Sequence, residues 1–155
     1  MKKEGVMIEK INEIINSLNQ IKEDIVKLEQ DIYVLKYAEA IAYVFNSLAK
    51  ITGNEYIKSI IFVDGGNVKY ISEDPVTDGY ENVLIIDNKV YEYNSYKEKD
   101  GYIVLNYSHE YKISEDIINS LKVIPGSTVD HADPQYFKLY HLLKQGYKID
   151  FVKSS

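Results

Sequence analysis

The hydrophobic positions in the first third of the chain recur every three or four residues. Ile and Leu occupy these positions from Ile11 to Leu35, and the residues between them are almost all polar or charged. This is the heptad repeat of a coiled coil, in which a narrow apolar stripe is buried against another helix. We therefore predict an N-terminal coiled-coil segment, residues 1–36. Its oligomer seam consists of Ile11, Ile14, Leu18, Ile21, Ile25, Leu28, Ile32 and Leu35.

The apolar pattern widens after Tyr33, where most residues up to Ile51 are aliphatic, aromatic or alanine. A face this broad is typical of a helix seated on a globular domain. The pattern predicts one helix that starts near Val6 to Glu9 and continues to about Ile51, with Gly53 as its C-cap signal. Two alternatives stay open: a hinge near Lys36, and a seam that packs on later helices of the same chain.

The middle of the chain has the pattern of an antiparallel meander. Runs rich in β-branched and aromatic residues at 56–63, 68–72, 83–86, 90–93 and 102–107 are separated by turn signals at 64–67, 87–88 and 97–101. Ser114 then predicts the start of one helix, and Asp133 before Pro134 the start of another that ends at Gly146. Residues 147–151 alternate like a strand at an edge or side of the sheet.

The predicted fold class is α+β. A long N-terminal coiled-coil helix precedes a small antiparallel β-sheet domain with two C-terminal helices and a last strand. This domain is expected to span residues 37–155.

Charge and composition narrow the function classes. The net charge is -6, and the acidic excess lies in the middle of the chain. Every basic residue is lysine, which weighs against a dedicated nucleic-acid binder, because such proteins usually show a basic stripe and arginine forks. The chain has no cysteine, so disulfides and thiolate metal sites are excluded. A signal-peptide pattern and a membrane-length apolar run are missing, so we expect a soluble, cytoplasmic protein.

One constellation of acidic residues and a lysine suggests metal-dependent chemistry. Asp78, and Asp87 followed two residues later by Lys89, have the spacing with which two carboxylates hold a divalent ion and a lysine helps to orient water. This resembles the loose signature of restriction-endonuclease-like, PD-(D/E)XK nucleases, with Glu39 in the place of the acidic residue on the preceding helix. The resemblance implies a DNA nuclease using Mg²⁺ or Mn²⁺. The alternative is that Asp87-Asn88 forms a hairpin turn.

A second set could hold a metal ion by a different chemistry. Asp130, His131 and Asp133 offer imidazole and carboxylate ligands within four residues. Asp133 is also the predicted helix cap, and a loop rich in Pro, Gly, Ser and Thr commonly contains such residues. We therefore assign no metal to this segment, and expect no cofactor outside the nuclease alternative.

Tyrosines concentrate in the predicted sheet, where they either pack or form a surface for a partner. We expect Tyr91, Tyr93, Tyr96 and Tyr102 to form such a surface. The favoured function is a non-enzymatic interaction or scaffold protein. Its seam assembles two or more copies or grips a helix of another protein, and two, three or four strands all stay open. Its acidic, tyrosine-rich sheet meets another protein. The nuclease is the alternative, and a nucleic-acid accessory protein is a further one.

Overall fold

The computed structural model describes residues 2–73, 82–126 and 137–154. It divides into two compact units, Met1–Ala38 and Glu39–Ser155. The helix α1 (Lys2–Thr52) contributes to both. Gly53, with φ +72°, follows its last residue and donates its N–H to the Ala49 carbonyl oxygen at 2.9 Å. Glycine tolerates this left-handed conformation, so the predicted cap is confirmed.

The second unit is a sheet with helices on both faces, and the predicted α+β class is confirmed. In the part of the chain that the structure describes, six strands form one sheet in the order β2-β1-β3-β4-β5-β6. The strands are β1 (Ser59–Asp64), β2 (Asn67–Ser72), β3 (Asn82–Ile86), β4 (Lys89–Lys99), β5 (Tyr102–Lys112) and β6 (Lys148–Lys153); the other helices are α2 (Glu115–Val123) and α3 (Lys138–Lys144).

The sheet is mixed, whereas the sequence predicted an antiparallel meander. The pairs β1–β2, β3–β4 and β4–β5 are antiparallel as expected, but β1–β3 and β5–β6 are parallel. The apolar run of β3 explains its place beside β1, because a strand covered on both faces belongs in the interior of a sheet. The chain between β5 and β6 carries α2 and α3, which gives the length that a parallel crossover requires.

Two-residue turns close the β3–β4 and β4–β5 hairpins. Asp87 and Asn88 have φ values of 52° and 62°, and Asp100 and Gly101 have 52° and 80°. Positive φ at both central residues is the type I′ pattern that matches the twist of a hairpin. The predicted turn at Asp87-Asn88 is thus confirmed. The turn predicted at 97–101 is shorter, since β4 continues to Lys99.

Two hydrophobic cores lie on opposite faces of the sheet. The first joins residues 39–52 of α1 to α2 and the inner strands; Val44, Leu48, Ile60, Ile85 and Leu121 are among its fully buried side chains. The second lies under α3 and includes Tyr70, Leu84, Ile103 and Leu105. Among the described residues, neither β5 nor β6 contributes to the first core. On the first face of the sheet, none of the helices in the described ranges therefore covers these two strands.

Both ends of α2 are capped. The Ser114 hydroxyl accepts a hydrogen bond from the Ile117 N–H at 3.4 Å, which confirms the predicted N-cap. At the other end, the ammonium group of Lys69 donates to the carbonyl oxygens of Leu121, Lys122 and Ile124 at 3.4, 3.0 and 3.2 Å. Carbonyls at a helix C-terminus have no partner within the helix, so this lysine from β2 completes the helix.

The last helix begins later than predicted. Phe137 is its N-cap residue and makes no side-chain capping hydrogen bond. The predicted cap, Asp133, lies outside the described residues. The predicted end is confirmed, because Gly146, with φ +94°, follows the C-cap and donates to the Leu143 carbonyl oxygen at 3.0 Å.

Candidate interaction surfaces

The seam predicted on the first half of α1 is exposed in the single chain. Its eight side chains keep between 49% (Ile25) and 78% (Leu35) of their surface accessible. The polar side of the helix is internally bonded: the Ser17 hydroxyl donates to the Glu13 carbonyl oxygen at 3.0 Å, and the Gln20 amide donates to Asp24 at 3.1 Å. A contiguous exposed apolar stripe on an otherwise polar helix marks a surface for association.

Further apolar side chains are exposed on the same helix, beside the eight that the heptad count identifies. Ile8 and Ile15 are 59% and 48% exposed. With Ile11 as position a, both fall at position e, directly beside the seam. Both residues can be identified from the sequence, because the heptad register that assigns Ile11 to position a also assigns the e positions. A search limited to a and d positions does not find them.

The four predicted surface tyrosines have different environments. Tyr91 is only 8% exposed. It stacks on Phe151 with 4.4 Å between ring centroids and meets Tyr107 edge-on at 5.1 Å. Burial, followed by the nearby Glu110 carboxylate, raises the pKa of the Tyr91 phenol. Tyr91 is therefore a core residue, which corrects its assignment to a partner surface.

Tyr93 and Tyr96 are half-buried and line a small cavity between β4 and α3. Their rings meet edge-on, with 6.2 Å between centroids. Burial raises the pKa of the Tyr96 phenol, and a hydrogen bond with the Leu139 backbone acts in the opposite direction. The cavity measures about 210 Å³, and Tyr70, Phe137 and Tyr140 complete its aromatic wall. These two tyrosines contribute to packing against α3 rather than to a flat outer face.

Tyr102 is the exposed member of the set, at 50%. It lies on the uncovered part of the sheet with Lys99 of β4 on one side and Lys148 of β6 on the other. Cross-strand neighbours share a face. Lys97, Val104 and Asp150 form the adjacent row in the same way. We call these six residues the open face: Lys97, Lys99, Tyr102, Val104, Lys148 and Asp150.

The charge of the open face differs from the acidic surface that was expected. Its three lysines are exposed, and they form no ion pair with any residue in the described ranges. Asp100 and Asp150 line the same shallow depression, of about 630 Å³. Three lysines against two aspartates leave a small positive excess in a chain whose net charge is -6. Lys97 and Lys99 are in β4 and Lys148 is in β6. These strands are distant in sequence, so composition could not reveal the cluster.

The residues of the nuclease alternative are only partly placed. Asp87 lies in the turn and is exposed, and Glu39 is exposed on α1. The Lys89 ammonium pairs with the Glu110 carboxylate at 3.5 Å. Asp78 lies outside the described residues, as do Asp130, His131 and Asp133. In the segments 2–73, 82–126 and 137–154, no three His, Asp or Glu side chains are close enough to hold a metal ion.

One acidic neighbour of Asp87 was missed by sequence reasoning. Asp64 ends β1 and Asp87 follows β3, and these strands are parallel neighbours. Both aspartates line a cavity of about 190 Å³ together with Lys122 of α2. The carboxyl ends of parallel strands meet at one edge of a sheet. The juxtaposition depends on the parallel pairing, which the sequence did not predict.

Comparison with known proteins adds no further constraint. The chain matches no family model, no curated protein and no solved structure. In the described ranges, none of the helices combines the length and apolar character needed to cross a membrane.

Proposed function

We propose that this protein is a non-enzymatic, oligomeric interaction protein. The first half of α1 joins copies of the chain through a coiled coil, and the α+β unit carries the open face as the surface for another molecule. The exposed seam is the observation that supports this proposal most strongly. Each seam side chain is an Ile or a Leu, and each keeps about half or more of its surface in water in the single chain.

The size of the seam is sufficient to drive association. Burying the exposed part of one Ile or Leu stabilises a complex by roughly 1 kcal/mol. Two copies with eight such residues each would gain on the order of 16 kcal/mol, against an association cost of roughly 4–15 kcal/mol. A second copy is the simplest partner for the seam, because the heptad spacing of one helix is matched by the same spacing in another.

Light scattering coupled to size exclusion tests the assembly. The wild-type chain is expected at a multiple of 17.9 kDa. The double variant Leu18→Lys/Ile21→Lys places charge in the seam and should reduce the mass to that of one chain. The matched control Asn12→Lys/Asn16→Lys adds the same charge on the polar side and should keep the wild-type mass. A wild-type mass of one chain at every concentration would refute the proposal.

The open face supports an acidic segment of another protein as the partner. Its lysines are available for carboxylates, and Val104 and Tyr102 offer apolar surface between them. Charge complementarity of this kind steers association and selects partners more than it adds affinity. Assembly through the seam would increase the apparent affinity, because one particle then carries several open faces.

A single-stranded nucleic acid is the second candidate partner, and the position of Tyr102 favours it. Proteins that bind single strands combine lysines that follow the phosphates with an aromatic side chain on which a base stacks. Tyr102 is half exposed on an uncovered sheet, with Lys99 and Lys148 as its cross-strand neighbours. This candidate corresponds to the accessory role that the sequence left as a further alternative.

Titration with two labelled probes separates the candidates. Poly-glutamate represents an acidic protein segment, and an oligothymidylate represents a single strand. Lys99→Gln/Lys148→Gln should weaken binding of either probe, whereas the exposed control pair Lys112→Gln/Lys138→Gln should not. Tyr102→Ala should weaken only the oligothymidylate, by roughly tenfold. For the oligothymidylate, the lysine double variant loses two phosphate contacts. The slope of log K against the logarithm of the salt concentration should therefore become shallower by about 1.4, at about 0.7 for each contact. If neither probe binds, the open face has neither role.

A further inference from the structure

The two ends of the seam have different compositions. We define the wide segment as residues 7–21 and the narrow segment as residues 25–35. With Ile11 at position a, the narrow segment has Ile at both a positions, 25 and 32, and Leu at both d positions, 28 and 35. β-branched residues at a with Leu at d favour two parallel strands. The narrow segment is therefore suited to a parallel pair of helices.

The wide segment has the opposite preference. Ile11 and Ile14 place Ile at both a and d, and Leu18 with Ile21 places Leu at a and Ile at d. Both combinations shift coiled coils from two strands towards three or four. The side chains at a and d meet the facing helix at different angles, so the branching of the residue decides which number of strands packs best.

The flanking e positions change at the same point. In the wide segment they are Ile8 and Ile15, both exposed. From there on the e positions are charged: Lys22 precedes the narrow segment, Glu29 lies within it, and Lys36 follows Leu35. A two-stranded coiled coil leaves e positions in contact with water, whereas bundles of more helices bury them. The wide segment thus presents a three-position stripe that two helices alone would leave partly exposed.

We infer that the protein assembles as a pair of dimers. Two copies associate in parallel along the narrow segment, and two such pairs join through overlap of their wide segments into a four-helix bundle. The e-position side chains of one pair are thus buried against a second pair of the same chain. Overlap of the N-terminal segments alone leaves each narrow segment two-stranded and keeps Lys22 and Lys36 in water. This inference rests on the proposed function and specifies its assembly.

The first test is the mass of the particle that the full chain forms in solution, measured by light scattering. The expected wild-type particle contains four copies of the 17.9 kDa chain. Ile8→Gln/Ile15→Gln removes the e-position stripe but leaves every a and d residue, so its particle should contain two copies. The matched control is Val6→Gln/Val26→Gln, because these two residues are 50% and 53% exposed and lie outside the a, d and e positions. The control particle should still contain four copies.

Each other outcome has a distinct meaning. A wild-type particle of two or three copies at every concentration overturns the pair of dimers but leaves the proposed assembly through the seam intact. A single chain at every concentration overturns both. An Ile8→Gln/Ile15→Gln particle that still contains four copies overturns the role of the wide segment. Circular dichroism of each variant shows whether the helix has been retained.

A disulfide tests the parallel pairing independently. Because the chain has no cysteine, Leu35→Cys introduces a single thiol at a d position of the narrow segment. Two d residues at one level of a parallel pair are close enough for a disulfide. Oxidation should convert the variant almost completely to covalent dimers, whereas cysteine at the polar control position, Asn16→Cys, should give few. Equal yields would overturn the parallel pairing.

Discussion

The two halves of α1 contain similar aliphatic residues in opposite environments. In the first half, Ile11 and Leu18 are 52% and 53% exposed, whereas in the second half Val44 and Leu48 are fully buried and Phe45 is 4% exposed. The width of the apolar face distinguishes them. An apolar stripe limited to the a and d positions is typical of a helix that packs against another helix, and a broad apolar face is typical of a helix that packs on a sheet. Within one helix, the pattern therefore separates the residues that stabilise the fold from those available for association.

Truncating the same residue type in each half gives the largest expected effect. Leu48→Ala should lower the free energy of unfolding by about 2–5 kcal/mol, because it leaves a cavity in the first core. Since Leu48 is buried within its own unit, this loss should be the same at every protein concentration. Leu18→Ala should change the stability of the isolated chain by less than about 0.5 kcal/mol.

Denaturant unfolding at low and high protein concentration measures the difference. The Leu18→Ala variant should approach wild-type stability when dilute and fall below it when concentrated, because only the assembled form uses this side chain. A Leu48→Ala loss that varies with concentration would contradict the division of α1 into an associating half and a buried half.

Removing the lysine that caps α2 should have the next largest effect. Lys69→Met keeps the stem of the side chain but removes the three hydrogen bonds to the end of α2. The expected loss is about 1–2 kcal/mol, since hydrogen bonds from charged groups contribute more than neutral ones and part of this site is open to water. The loss should not depend on concentration, as for Leu48→Ala.

Lys58→Met is the matched control for the cap. Lys58 pairs with Glu73 at 2.9 Å, and both side chains are more than one-third exposed. A surface pair of this kind contributes roughly 0–1 kcal/mol, so chemical unfolding should detect a smaller change. Equal losses in the two variants would show that Lys69 acts as an ordinary surface charge.

These contacts also show where sequence reasoning succeeds. The Ser114 cap and the Asp87-Asn88 turn depend on residues within three positions of each other, and both were predicted. Lys69 and the carbonyls of α2 are 52 to 55 residues apart, so no local pattern connects them. The open face is non-local in the same way, since Lys99 and Lys148 become neighbours only through β5.

Strand pairing and burial of aromatic residues were the least predictable features. β3 pairs with β1 on the side opposite β2, and in parallel. A hydrophobic run does not specify which strand will be its neighbour. Tyr91 and Tyr102 are both tyrosines of the sheet, but they lie on opposite faces. Tyr91 belongs to the core under α3 and stacks on Phe151, whereas Tyr102 is outside that core. A position on a β-strand thus identifies a face, and tertiary packing decides whether that face is covered.

The smallest expected effect is a loss of stability at alkaline pH. We expect tyrosines on the buried side of the sheet to cause it. Burial raises the pKa of Tyr91 and of Tyr96 above the ordinary value of 10.0. A group whose folded-state pKa is raised contributes stability that is fully present below the unfolded pKa and is lost as the pH rises through the folded pKa. The free energy of unfolding should therefore fall above about pH 10. Because phenylalanine does not ionise, Tyr91→Phe/Tyr96→Phe should show a shallower fall.

Unfolding by denaturant on both sides of this pH measures the change, with tyrosinate absorbance to follow ionisation. Tyr56→Phe, at a residue that is 68% exposed, controls for the loss of one tyrosine from the surface. If the double variant falls as steeply as the wild type, the alkaline loss originates elsewhere in the chain. If it is shallower, Tyr91 and Tyr96 contribute to the pH dependence. The seam of α1, whose eight residues are all Ile or Leu, has no titratable side chain.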